Sequence, residues 1–511
     1  MKMAKSLLLG SAAGLIALSE VQGADLPLKA KAVEYVRTCT LYGPGFFYIP
    51  GADTCIKLGG YARAWLEVNS NSMGANPDFG AGGAANRLGN AYTWRSREAM
   101  SIDTRTATEY GLVRTFGEIY FNWTSGGYSG AGNGSTIYQS IGGVSAPNNA
   151  NPGAVAGGTV WVMNAFIQFA GFTFGKAISQ FSAPWGEYPG NYVELPGGSA
   201  WDPVNQFTYT ADFGQGITAS FSAQDQVQHD TTNVWNVSAA TAAGLATGTY
   251  GGNDIAGTAA PDFIAMLRVD QKWGLFQASV AAHDNHAAYY GASELTGHPN
   301  DKWGWAGQLA LSIKNIPTGV GDSINITGVY ANGASRYTFN DYLSSTFARY
   351  GRTSSAGAYQ SVGLGGISDS VFIAGAGQEL TTTYGFNGAF NHNWDPYWSS
   401  SVFGGLGAVR YNAAAKGYIC NAFVTGVALS TGIAGCNPDF NYAVVGTKTA
   451  WTPVKNLTFV AELDYSIVDQ KYASGSTVTL PLQAGIGKPP ALYELKDQRS
   501  IGFQLLVQRN F

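Results

Sequence analysis

Between positions 457 and 465 the chain alternates residue by residue. Leu457, Phe459, Ala461, Leu463 and Tyr465 fall on one parity, and Thr458, Glu462 and Asp464 on the other. A side-chain period of two belongs to a strand with one apolar and one polar face, not to a helix. The pattern recurs. Trp305, Gly307, Leu309, Leu311 and Ile313 oppose Gln308 and Ser312; Phe276, Ala278, Val280 and Ala282 oppose Gln277 and Ser279; Tyr384, Phe386 and Phe390 oppose Asn387 and Asn391. The last strand repeats it, with Ile501, Phe503, Leu505 and Val507 against Gly502, Gln504, Gln508 and Asn510, and Leu506 as an exception. The chain ends on an aromatic residue, Phe511.

A secreted sandwich would alternate in the same way, so composition and segment ends bear on the choice. Charged residues make up 12% of the chain and aromatics 13%, with 68 glycines; soluble domains carry about a quarter charged residues. Mean hydropathy is −0.04, far from that of a helical membrane protein. Lys2 and Lys5, the apolar stretch 7–18 and the small-residue site Val21-Gln22-Gly23 read as an export signal over 1–23, too short to span a bilayer as a helix. No later segment reaches about 20 uninterrupted apolar residues. A membrane protein of this composition must then be a closed barrel, because only helices and barrels satisfy their backbone groups in lipid.

Punctuation supports closure. Short connections at Ala107-Thr108-Glu109, Lys272-Trp273-Gly274, Trp394-Asp395-Pro396 and Pro453-Val454-Lys455 alternate with long ones near 70–93, 124–157, 227–261, 333–380, 412–439 and 468–497. Short turns at one end and long loops at the other are the asymmetry of membrane barrels. Counting strands with this punctuation gives sixteen, from near Cys55 to Phe511, a size that leaves a water-filled interior; eighteen is the alternative count. The predicted organisation is an export signal (1–23), an N-terminal segment (24–54) and an all-β, transmembrane antiparallel barrel (55–511).

In such a barrel the charged parity must face the interior, since a charge facing lipid costs about 2–4 kcal/mol at the midplane. On the first strand this places Lys57, Tyr61, Arg63 and Glu67 inside. On the second it places Arg95, Arg97, Ser101, Asp103 and Arg105 inside, and on the third Arg114 and Glu118. Cys39 and Cys55 are sixteen apart, as are Cys420 and Cys436. In an oxidising compartment each pair can close a local loop. The zinc alternative lacks both C-x-x-C spacing and a nearby histidine.

Several residues resemble a known family. Ala32-Val33-Glu34-Tyr35-Val36-Arg37 with Cys39, Gly45-Phe46-Phe47-Tyr48-Ile49-Pro50-Gly51 before Cys55, the Gly171 to Gly175-Lys176 stretch and the terminal Phe511 are similar to the porins of alphaproteobacteria, in particular the rhizobial and Brucella-type porins. The resemblance implies a sixteen-stranded outer-membrane channel for passive diffusion of small hydrophilic solutes and ions, usually a homotrimer. The barrel would sit among outer-membrane lipid and lipopolysaccharide, and Phe511 would be read by barrel-assembly machinery. It also implies a third loop, 179–202, folded into the pore. Glu187, Glu194 and Asp202 would then be the loop-side acids, and Arg63, Arg97, Arg105 and Arg114 the wall-side bases.

Other functions find less support. Neither a nucleophile motif nor a dinucleotide or phosphate-cradling loop is evident, so neither catalysis nor a cofactor is expected. No metal site is expected either: His283-Asp284-Asn285-His286 is the one suggestive cluster, and it reads as a solvated strand end. With a net charge of −4 there is no electrostatic footprint for nucleic acid. A sugar-selective channel would need aromatics along the interior, for which Tyr61, Trp65, Trp185 and Tyr188 are candidates. A plugged receptor or adhesin would use the long loops 333–380 and 412–439.

Overall fold

The computed structural model describes residues 37–69, 83–89, 91–124, 159–185, 189–198, 203–225, 233–339 and 345–511. The expected export signal, Glu187, Tyr188 and Asp202 lie outside these residues. Sixteen long strands form one antiparallel sheet: β1 (Cys55–Asn69), β2 (Tyr92–Thr108), β3 (Gly111–Thr124), β4 (Thr159–Phe169), β5 (Phe172–Ile178), β6 (Pro203–Asp212), β7 (Ile217–Gln224) and β8 (Asp262–Gln271) make the first half. The second half is β9 (Gly274–Asn285), β10 (Lys302–Lys314), β11 (Ser323–Asn332), β12 (Thr382–Asn393), β13 (Trp398–Arg410), β14 (Phe440–Val454), β15 (Leu457–Gln470) and β16 (Gln498–Asn510). Each strand pairs with its sequence neighbours, and β16 returns to pair with β1 from Tyr61↔Asn510 to Asn69↔Gly502. The Phe511 amide donates to the Gly60 carbonyl at 3.1 Å, so the final residue is stitched to the first strand.

Burial is inverted relative to a soluble protein. Leu309, Phe386, Phe207 and Leu463 point outward and are well exposed, whereas Gln308, Glu462, Gln504 and Asn387 point inward and are buried. Only lipid around the outside makes that distribution favourable. Aromatic ladders mark both rims of the apolar band. Trp305, Tyr330 and Tyr384 follow one another at 5.4 and 6.4 Å near the long-loop end. Trp398, Trp451 and Phe459 do so at 5.7 and 5.3 Å near the short turns. Leu506, out of parity in the sequence, faces inward and packs with Val460 on the fully buried Trp65. Three of the expected turns shift slightly: Ala107 and Thr108 belong to β2, Gly274 begins β9, and Pro453 lies in an irregularity of register between Trp451 and Val454.

The long loops do not simply extend outward. Parts of two of them build a four-stranded sheet from Thr346–Gly351, Gln360–Gly366, Ala491–Leu495 and Thr477–Leu480. A second small sheet joins Val234–Asn236 and Gly252–Asn253 to Ser370–Phe372 and Glu379–Leu380. A helix, Ala413–Val427, is capped by the Asn412 side chain, which accepts from the Ala415 amide at 2.9 Å. Trp235, Tyr250, Phe347, Val362, Phe423 and Tyr493 bury one another between these pieces. That apolar cluster continues down into the barrel through Phe403, Val444 and Leu195. The described parts of the loops 333–380 and 412–439 are therefore a packed cap.

The cap also corrects the reading of His283. It faces the interior as its parity requires, yet it is fully buried, with Nδ1 2.7 Å from Asp262 Oδ1 and Nε2 3.5 Å from Asp369 Oδ2. Asp369 arrives on the loop after β11 and excludes the water that a strand end would otherwise meet.

Both cysteine pairs are disulfides, Cys39–Cys55 and Cys420–Cys436. The first fixes the N-terminal segment, where Phe47–Tyr48 pairs with Cys55–Ile56, against the root of β1. The second ties the cap helix to the turn at Ile433–Gly435. Closing a loop of this length is worth about 3 kcal/mol in the chain-entropy model, and here the benefit is local to the cap. Replacing Cys420 and Cys436 together by Ser is expected to open 412–439 to protease while the barrel keeps its heat-modifiable migration on gels. Equal protease resistance in variant and parent would show that the cap packs without the bond.

Candidate functional site: the pore constriction

The third loop leaves β5 at Ser179 and turns into the barrel. The Phe181 carbonyl accepts from Gln308 Nε2 at 2.6 Å, and the Ser182 carbonyl from Gln277 Nε2 at 3.0 Å. Further along, the Pro189 carbonyl accepts from Asn325 and Asn391, at 2.7 and 3.1 Å. The loop reaches its far point at β15. There both oxygens of Glu462 accept backbone amides, from Tyr192 and from Val193, each at 2.7 Å. Inward-facing amides and one carboxylate thus satisfy a loop backbone that would otherwise be buried without partners.

The return leg lies on bare wall. Residues 195–198 cross β12 and β13 where glycines face inward. A Cβ on Gly405 would sit 2.6 Å from the Pro196 carbonyl, and one on Gly407 2.9 Å from Pro196 Cβ. Gly197 itself has φ +91, and a side chain there would collide with the Phe386 backbone. The loop therefore covers the inner wall from β9 to β15.

On β1 to β3 the inward bases form two groups, and Arg95 and Arg97 of the first are buried. Arg63 and Arg97 face each other across β1 and β2 near mid-strand, with Arg95 opposite Trp65 one step toward the long loops. Tyrosines interleave with them: the Arg63 guanidinium is 4.8 Å from the Tyr61 ring and 5.5 Å from Tyr192 of the loop, and Arg97 is 4.5 Å from Tyr120. Arg63 also donates to Gln508 at 2.8 Å, and Lys448 lies 5.2 Å from the Tyr192 ring. Burial pushes the Tyr192 hydroxyl above its ordinary pKa, with Arg63 pulling partly back.

Arg105 and Arg114 pair with each other eight residues further along β2, about 27 Å away at strand rise. Both reach Asp103 at 3.0 Å. Arg105 packs 4.8 Å from Phe46 of the disulfide-bonded N-terminal segment, and Arg114 donates to Gln168 at 3.0 Å. The four predicted bases thus fall at two levels, one at mid-barrel and one at the short-turn mouth.

Of the loop acids, Glu194 is buried under the loop, 2% exposed; Glu187 and Asp202 lie outside the described residues. Trp185, on the outgoing leg, is partly buried. Sequence reasoning placed Glu462 inside the barrel but did not foresee its use as the loop's anchor. Its partners stand 270 and 269 residues away, and no local pattern encodes them.

A family model described as Porin subfamily matches residues 25–503. The chain belongs to this family. It is a channel-forming porin of the bacterial outer membrane. Similar relatives include Porin Omp2a of Brucella ovis, 31% identical over 321 residues that cover 60% of this chain and 84% of that one. Porin Omp2a of Brucella melitensis is 30% identical, covering 60% and 79%. Among solved structures, the outer membrane channel DcaP of Acinetobacter baumannii superposes with a TM-score of 0.52 at 14% identity, over 91% of this chain and 99% of that one. The long-loop end of the porin is thus the outer end and the short turns are periplasmic.

Two backbone amides donate to the Glu462 carboxyl group, and a hydrogen bond of this kind is worth about 0.5–1.5 kcal/mol net. Glu462→Ala should free the third loop of the porin without unfolding the barrel. Single-channel recordings are then expected to show noisier and larger open steps, with far-UV circular dichroism unchanged. Traces indistinguishable from the parent would mean that the other loop contacts suffice.

Proposed function

We propose that this porin is a passive aqueous channel for small hydrophilic solutes and ions. Its narrowest part lies between the third loop and the arginine–tyrosine wall formed by Arg63, Arg95 and Arg97 with Tyr61 and Tyr120. The supporting observation is the asymmetry of the interior. The loop and cap cover one side, whereas the wall of β1 to β3 keeps its guanidinium groups at mid-barrel. Charged side chains lining a pore set its selectivity, so the wall bases favour anions at that level. Arg105 and Arg114, held on Asp103, would act at the periplasmic mouth, where solutes leave the barrel. Glu187, Glu194 and Asp202 stay assigned to the loop side of the constriction, with Glu194 acting from beneath it. The assignment of Phe511 as the assembly signal is supported by its exposed ring at the strand end.

A sugar-selective channel is the second reading, and Trp65 weighs against it. The indole is fully buried, with Nε1 donating to Gln504 at 3.0 Å and Tyr192 packed at 6.5 Å. It offers no open face on which a sugar ring can stack. We further propose that the protein is a homotrimer inserted by barrel-assembly machinery, with no catalytic activity and no cofactor.

A unit charge at about 4 Å in water is worth about 1 kcal/mol, roughly a factor of five in local ion population. In a planar bilayer under a salt gradient, the double replacement Arg63→Ala with Arg97→Ala is expected to move the reversal potential toward the cation's equilibrium potential. The cation-to-anion permeability ratio should rise several-fold. An unmoved reversal potential would take these arginines out of the constriction, and a folded barrel without conductance would sink the channel reading.

A further inference from the structure

Asp284, His286 and Asp301 converge at the outer rim, where β9 ends and β10 begins. An imidazole nitrogen and one oxygen from each carboxylate all lie within 4.8 Å of one another. We propose that these three side chains form a divalent-cation site, with zinc or a similar first-row ion as its ligand.

Three observations carry this. First, Asp284 is 5% exposed, and its Oδ1 has no hydrogen-bond partner. A buried carboxylate without a partner is costly, and a bound cation is one of the few arrangements that offsets the cost. Second, His286 Nδ1 lies 2.8 Å from Asp301 Oδ1, yet it is water-shielded and makes no well-formed hydrogen bond. The neighbouring cation is engaged elsewhere: Lys302 Nζ donates to the Gln378 carbonyl at 2.9 Å. Third, the framework is fixed without the metal. Gln378 Nε2 donates to the Asn285 carbonyl at 2.7 Å and the Asn300 carbonyl at 3.0 Å, clamping both ends of the intervening loop. The His286 carbonyl accepts from the Ala256 amide at 3.0 Å. The donors are thus preorganised, as a binding site requires.

The donor set selects the ion. Two carboxylate oxygens and an imidazole suit zinc and its first-row neighbours, whereas calcium and magnesium favour all-oxygen shells. Zinc bonds of about 2.0–2.2 Å place ligand atoms about 3–4 Å apart, within a small adjustment of the spacing here. His286 and Asp301 side chains are 32% and 42% exposed, so water can take the remaining position. Bound there, the ion would cross-link the two ends of the loop 286–301 at the cell-surface rim, a role separate from the pore.

The test is calorimetric titration of Zn²⁺ into the full, detergent-purified, chelator-stripped protein. One equivalent per chain is expected. Asp284→Asn and His286→Gln should each weaken it by about tenfold or more, while His392→Gln, at the opposite rim, leaves it unchanged. Asp301→Asn, at a half-exposed position, keeps the test available should Asp284→Asn not fold. Parent binding no tighter than that of the variants, or binding lost instead in His392→Gln, would overturn the site.

Discussion

Backbone hydrogen bonding without an edge is the constraint on which everything else depends. A sheet in lipid has no water to satisfy its outermost strand, so β16 must return to β1, and the Phe511 amide extends that seam to Gly60. Closure fixes which parity faces lipid on every strand at once. With the sign of the faces set, polar groups line the inside of every strand, and the third loop is held by some of them. Gln277, Gln308, Asn325, Asn391 and Glu462 all spend inward polar groups on loop backbone.

Much of this was legible in the chain because period two is a local signal. The inward parity of Arg63, Arg97 and Glu462 and the outward parity of Leu309 and Phe386 follow from neighbours two residues away. The sixteen-strand count followed from turn punctuation. Leu506 was misfit only because the rule ignores what lies across the lumen. It is apolar and inward since Trp65 and the loop's Tyr192 leave no water there.

The cap and the anchoring of the third loop were not legible, for a common reason: their contacts are long-range. Val362 packs against segments more than a hundred residues distant, and the pairing of Gln360–Gly366 with Ala491–Leu495 is parallel, which no hairpin signal announces. The helix Ala413–Val427 did leave a trace in the Asn412 cap before three alanines, masked by the glycine-rich composition of the loops around it. His283 read as part of a solvated strand end, and its burial comes from Asp369, eighty-six residues on. Strand parity placed the arginines inside on three neighbouring strands. Strand length then separated them into two levels, a distance that parity alone does not measure.

The glycine track beneath the third loop has a consequence for how such a channel changes over generations. A barrel's circumference is set by strand number, and adding or removing a hairpin is a large, disruptive step. Here part of the inner surface is upholstered by the third loop, with Gly405 and Gly407 setting how closely the loop lies against it. A single methyl group introduced on that track would lift the loop toward the arginines. The bore can therefore be retuned one substitution at a time while the membrane-facing cylinder, and everything that recognises it, stays the same.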